Sequence, residues 1–140
     1  MPEIDKICIV VGEWVEKVEN DLANATCILR MDRACPADTV CFHAQQCVEK
    51  YLKALLVWNQ IPFGKTHDVG EIFQLLPETD RPVLTVEEAR RLTAYATVTR
   101  YPGDYDPISL TEARLAVRIA RRVRATVRKL LPRKALLRRR

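Results

Sequence analysis

No histidine follows position 67, no acidic residue follows Glu112, and only four glycines occur in 140 residues. Each shortage excludes something. Gly12, Gly64, Gly70 and Gly103 are too scattered to form a glycine-rich phosphate loop. His43 and His67 complete no Ser-His-Asp order and no metal-ligand spacing. The cysteines (Cys8, Cys27, Cys35, Cys41 and Cys47) are odd in number and contain no C-x-x-C. Each fits a helix core or a helix end, so all five read as reduced, buried small side chains. No metal and no cofactor is expected. No apolar run is long enough to span a bilayer. The opening MPEIDK lacks a basic leader, so a cytoplasmic protein without membrane contact is expected.

What is present favours helix. Ala, Leu, Glu, Arg and Lys dominate, β-branched runs are short, and the length suits one domain with a real core. The expected class is all-α: an up-and-down bundle of four long helices plus one short helix. It occupies 1–131 as a single domain, with 132–140 as a basic, frayed tail.

The chain is organised around Asp38–Gln60. Cys41, Ala44, Val48, Tyr51, Leu52 and Leu55 recur there at the three-and-four spacing of a buried helix face. Asp38 or Thr39 can cap its start, and Pro36 separates it from what precedes. The preceding helix spans about Ile4 to Arg33, with Ile7, Val11, Trp14, Val18, Leu22, Ala25 and Leu29 in a near-heptad seam. Downstream, Thr66 or Asp68 can cap a short helix that Pro77 ends. Thr85 and Glu88 form a capping-box signature for a fourth helix, predicted to run to Arg100. Tyr101–Pro107, with two prolines and a glycine, is a rigid turn. Ser109 and Glu112 repeat the box signature before the last helix. In that helix Ala116, Ile119, Ala120, Val123, Val127 and Leu130 share one face. Arg114, Arg118, Arg121, Arg122 and Arg128 share the other.

Charge is divided along the chain. Residues 1–113 carry 11 basic and 18 acidic residues, net −7; residues 114–140 carry 12 basic and no acidic ones, net +12. A row of arginines along about 20 Å of helix matches a phosphate backbone. The same row could solubilise the helix or dock on the acidic body. Aromatic interleaving is absent after Tyr105.

Arg100 and Tyr101 precede the stiff turn, as a phosphate-holding arginine and a stacking ring would, or as a helix-closing arginine and a packed tyrosine. His43 reads as a hydrogen-bonded core histidine or a ligand contact. His67 precedes a helix start and could cap it or meet an anion. Lys50 and Lys53 flank Tyr51 on what reads as a solvated face, with Glu49 four residues before Lys53. Trp14, Phe42 and Trp58 are left for a dimer or partner contact.

Three stretches in order, FHAQQCVEKYLKALL, THDVGEIFQLL and ATVTRYP followed by a turn and a closing helix, resemble the HEPN domain family. The likeness spans about residues 38–131. It implies a helical bundle that forms a homodimer, commonly encoded beside a minimal nucleotidyltransferase. Other members are metal-independent ribonucleases of toxin–antitoxin and defence systems, bearing an Arg followed four to six residues later by a His. Here Arg100 stands in place, but YPGDYDP follows, and Tyr105 occupies the region of that His. A tyrosine is a poor acid or base near neutral pH. The chain therefore resembles the RYP-bearing branch, for which binding of RNA or a nucleotide, rather than cleavage, is expected. Its candidate contacts are Arg100, Tyr101, His67, His43, Lys50, Lys53, Arg114, Arg118, Arg121 and Arg122. A ribonuclease using Arg100 with Tyr105 or His67, and a protein-interaction module, stand as alternatives.

Overall fold

Thirteen of the 22 residues of the central helix are buried, a density that only an element packed on several sides reaches. A computed structural model describes residues 3–96 and 107–137. Among them lie α1 (Glu3–Leu29), α2 (Ala37–Trp58), α3 (Val69–Leu75), α4 (Val86–Tyr95), α5 (Leu110–Leu130) and α6 (Arg133–Leu136). Single 3-10 turns stand at Asp32–Ala34 and Glu78–Asp80.

The helix α2 packs along α1 and α5, touches α3 and α4, and so forms the axis of the molecule. Side-chain links fix the directions. Lys50 reaches Asp21 and Tyr51 reaches Glu19, so α1 and α2 run antiparallel. Arg122 reaches Glu88 and Tyr95 reaches Glu112, which makes α4 and α5 antiparallel as well. The long helices therefore alternate up and down, with α3 set into the return from α2 to α4. No strand occurs among the described residues.

The expected stripe of α2 is buried in full, and the core extends beyond it to Val40, Ala54 and Leu56. Leu52, Leu55 and Leu56 are fully enclosed, each contributing about 1.5–3 kcal/mol of burial. Val11, Val18, Leu22 and Ala25 of α1 meet this core, as do Ala116, Ile119, Ala120, Val123 and Val127 of α5. The predicted apolar face of α5 is thus the core face, with Leu130 partly buried at its end.

Local signals hold in part. Asp68 caps α3 through the Glu71 amide, and Thr85 with Glu88 closes a complete capping box on α4. At α2 the expectation fails. The helix begins at Ala37 after Pro36, and no side chain caps it; Asp38 accepts only from the adjacent Thr39 amide. Ser109 caps α5, but the Glu112 carboxylate accepts from the Tyr95 hydroxyl at 2.5 Å instead of closing a box. The helix α2 stops without glycine. Gln60 takes φ 57°, and its amide and that of Ile61 bond back to Val57 and Leu56, the double link of a Schellman stop.

Two further expectations change. The tail is not wholly frayed: Arg133–Leu136 forms α6, whose Ala135 is buried against α1. Gly12 eases that approach, because a Cβ there would lie a tight 3.2 Å from the Ala135 carbonyl oxygen. The five cysteines are free, and Cys8, Cys41 and Cys47 are buried as expected. Cys27 is exposed and Cys35 partly so, because they sit at the outer end of α1 and in the turn after it.

Candidate functional site

Polar side chains of α2 meet carboxylates in two separate networks. In the first, Asp21 of α1 lies only 8% exposed and receives Lys50 Nζ at 2.6 Å. His43 Nδ1 lies 3.1 Å from its other oxygen. A carboxylate can only accept, so the Nδ1 nitrogen carries the hydrogen. In the second network Glu49 is buried within α2. It accepts from Gln45 Nε2 at 3.0 Å, from Lys53 Nζ at 3.4 Å and from His67 Nδ1 at 2.8 Å. Gln46 in turn donates to Gln45 at 2.8 Å.

Lys53 therefore does not lie on a solvated face. It is buried beside Glu49, with its ammonium 5.9 Å from the Phe63 ring centroid. The opposite charge and the ring face offset its desolvation. Lys50 is partly buried by its link to Asp21. The aromatics left over in the sequence are also engaged: Trp14 meets Phe63 edge-on, and Phe42 meets His43 in the same way. Trp58 is half-buried against the core.

A third assembly joins α1 to α5. Glu19 receives Tyr51 Oη at 2.8 Å, Arg128 Nη1 at 2.8 Å and Arg124 Nε at 3.0 and 3.1 Å. Burial, with the neighbouring Glu19, raises the Tyr51 hydroxyl above its ordinary range, so it stays protonated and donates. Partial burial works against the Arg124 charge, but Glu19 outweighs it and the guanidinium is held more firmly protonated.

Beside this hub a groove of about 880 Å³ runs between α1 and α5 and under α6. Its α6 end is aliphatic, lined by Val15, Leu136 and Leu137. Its other end holds Thr26, Cys27, Arg30 and Arg121. Arg121 meets only the Thr26 hydroxyl, at 3.3 Å, and Arg30 meets no carboxylate among the described residues. Four arginines face two glutamates, Glu16 and Glu19, so two positive charges in the lining remain uncompensated.

The arginine row is thus divided. Arg114 pairs with Asp32 at 3.0 Å, and Arg122 with Glu88 at 2.5 Å, so both dock on the acidic body. Arg118 is exposed without a carboxylate partner among the described residues, and Arg121 lines the groove. Arg100, Tyr101 and Tyr105 lie outside the described residues. Among the described residues, Tyr95, Glu112 and Cys41 form a cluster between α2, α4 and α5, with Tyr95 and Cys41 buried. Burial, with Glu112 and other neighbours adding to it, pushes the Cys41 thiol up to about 12, which makes it inert as a nucleophile at neutral pH.

Sequence reasoning missed Glu19, Asp21, Arg30 and Arg124. Only Asp21 carried a signal: it falls on the buried stripe with Val18, Leu22 and Ala25, where a carboxylate needs partners. Among the described residues, no three or more His, Cys, Asp and Glu side chains could hold a metal ion. No helix among them is long and apolar enough to cross a membrane.

Comparison with known proteins supplies a family. The HEPN domain model matches residues 11–130, from the first turns of α1 to the end of α5. The crystal structure of TT1696 from Thermus thermophilus is 30% identical, with a TM-score of 0.71 over 88% of this chain and 99% of that one. The structure of ST0689, an archaeal HEPN homologue, is 22% identical, with a TM-score of 0.67 over 86% of this chain and 96% of its own. A search of curated proteins found no match. The α2-centred bundle and the family match over most of its length agree: this chain belongs to the HEPN domain family.

Proposed function

We propose that this chain is a non-cleaving HEPN subunit. It binds RNA or a nucleotide through phosphate groups and works as a homodimer beside a separately encoded minimal nucleotidyltransferase, in a toxin–antitoxin-like pair. The observation that carries the reading is the surplus of positive charge at the α1–α5 groove, where Arg30 and Arg121 have no carboxylate partner among the described residues. Guanidinium groups left in that state bind phosphate oxygens through paired N–H donors.

Absence of cleavage is supported by the sequence after Arg100. Arg100 is followed by no histidine: both histidines of the chain, His43 and His67, precede it in sequence. A metal-independent ribonuclease needs a group that exchanges protons near neutral pH beside its phosphate-holding arginine.

Incubation with total RNA at low salt in EDTA tests the reading, with retention and cleavage read together. Retention of intact RNA is the expected result. Cleavage that disappears in Arg100→Ala would replace the reading with a ribonuclease. Neither retention nor cleavage would leave a protein-interaction module.

A further inference from the structure

The helix α5 ends in a joint. Its last backbone bond runs from the Leu131 amide to the Val127 carbonyl, and the Leu131 side chain is buried. Leu131 and Pro132 then take extended backbone, with ψ 151° and 139°. Pro132 has no amide hydrogen with which to continue the helical ladder. The helix α6 is therefore joined to α5 by two residues, anchored on the bundle side by Leu131.

Little holds α6 beyond that joint. No side chain caps it, and the Ala135 amide bonds back to the Pro132 carbonyl at 3.0 Å. Ala135 is buried, but Leu136 is only partly so and Leu137 is exposed. Lys134 pairs with Asp5 of α1 where the lysine is open to solvent, and water and salt weaken such a pair. Against these contacts stands the entropy of ordering residues 133–137. The neighbouring α5, by contrast, sends Ala116, Ile119, Ala120, Val123 and Val127 into the core. An element with so few buried contacts opens ahead of the global transition.

The surface beneath α6 forms a matching seat. Asp5, Cys8 and Gly12 recur at steps of three and four, so they share one stripe of α1. The helix α6 meets both ends of the stripe: Lys134 at Asp5, and the Ala135 carbonyl at Gly12. Cys8 lies between them and is only 7% exposed. Asp5 chiefly, and Cys8 in smaller measure, raise the Lys134 ammonium above the ordinary lysine value. Ala135, Leu136 and Leu137 also line the groove, with Val15 of α1.

We propose that α6 is a strap that undocks from α1, pivoting at Pro132, while the bundle stays folded. Closed, it covers Cys8 and walls one end of the groove. Open, it bares the stripe from Cys8 to Val15 and leaves that end of the groove without its wall.

Thiol labelling reads the strap directly. Cys27 is exposed, Cys8 lies beneath α6, and Cys41 and Cys47 are enclosed within α2. The whole protein would be treated with N-ethylmaleimide, and modification of each cysteine followed by peptide mass spectrometry. Cys8 is expected to react more slowly than Cys27 but faster than Cys41 and Cys47, by about tenfold or more. Lys134→Ala removes the ion pair at an exposed position, and Ala135→Asp sets a carboxylate against α1 beside Asp5. Each should speed Cys8 severalfold and leave Cys41 and Cys47 unchanged. Cys8 reacting only at the rate of Cys41 and Cys47 would show that α6 leaves only when the bundle unfolds, and would overturn the proposal. Fast labelling of Cys8 that neither variant alters would trace its exposure to fraying at the start of α1, and would overturn it equally. Acceleration of Cys8, Cys41 and Cys47 together in Lys134→Ala would make α6 part of the cooperative core, again against the proposal.

Discussion

His67 places Nδ1 2.8 Å from the carboxylate of Glu49, and the two side chains differ sharply in exposure, 65% against 3%. One ring reaches from the surface to close a network whose other members, Gln45 and Lys53, are buried. The geometry ties the segment before α3 to the middle of α2, at a point where the core contains ionised groups. Removing one partner of such a group is costly because the remaining charge stays desolvated.

Glu49→Gln is therefore expected to destabilise the fold by about 3 kcal/mol or more, since buried Lys53 loses its counter-charge. Glu49→Gln combined with Lys53→Met should recover much of that loss. Urea unfolding followed by circular dichroism measures both. A single variant within about 0.5 kcal/mol of the parent would show that the pair contributes no more than a surface contact.

Gln60 occupies a left-handed position that a side chain resists, at the end of α2. Gln60→Gly should stabilise the protein by about 0.5–1 kcal/mol, the usual gain where glycine relieves a positive φ. Thermal unfolding would show a raised midpoint; a lowered one would mean that the side chain of Gln60 supports the stop.

Glu88 bonds to Arg122 and closes the α4 capping box. Partial burial works against its ionisation, but the Arg122 guanidinium and the Thr85 cap outweigh that and hold its carboxyl below the ordinary value of 4.5. A folded pKa below the unfolded one contributes stability that is complete above the unfolded value and lost as pH falls through the folded one. Stability should therefore decline below about pH 4.5, and Glu88→Gln should flatten that part of the profile. Unfolding midpoints between pH 3 and 7 would test this, and an unchanged slope in the variant would contradict it.

What the sequence made legible was local. The three-and-four stripes of α2 and α5 needed only residues a turn apart, and they marked the core faces correctly. The capping box at Thr85 was readable for the same reason. Partners separated along the chain were not. His43 and Asp21 are 22 residues apart, and His67 and Glu49 are 18 apart, so only the antiparallel packing of α1 and the return to α3 reveals them. Lys53 followed the surface rule for lysine until Glu49 and Phe63 enclosed it. The four-residue α6 is too short to nucleate alone and is held by packing on α1, where its backbone passes close to Gly12. The arginine row was visible as a row. Which of its members dock on Asp32, Glu88 and Glu19, and which face the groove, depends on where α1 and α4 lie.

The most direct measurement is fluorescence anisotropy of a labelled single-stranded RNA between 50 and 200 mM salt, on the parent and on Arg30→Ala/Arg121→Ala. Both substituted residues border solvent at the groove, so the variant should remain folded, as circular dichroism would verify. Two phosphate contacts on a single strand predict a slope of log affinity on log salt of about −1.4 for these two residues. The double variant should bind more weakly and lose that part of the slope. An affinity that is flat with salt, or equal in parent and variant, would contradict phosphate binding at this groove.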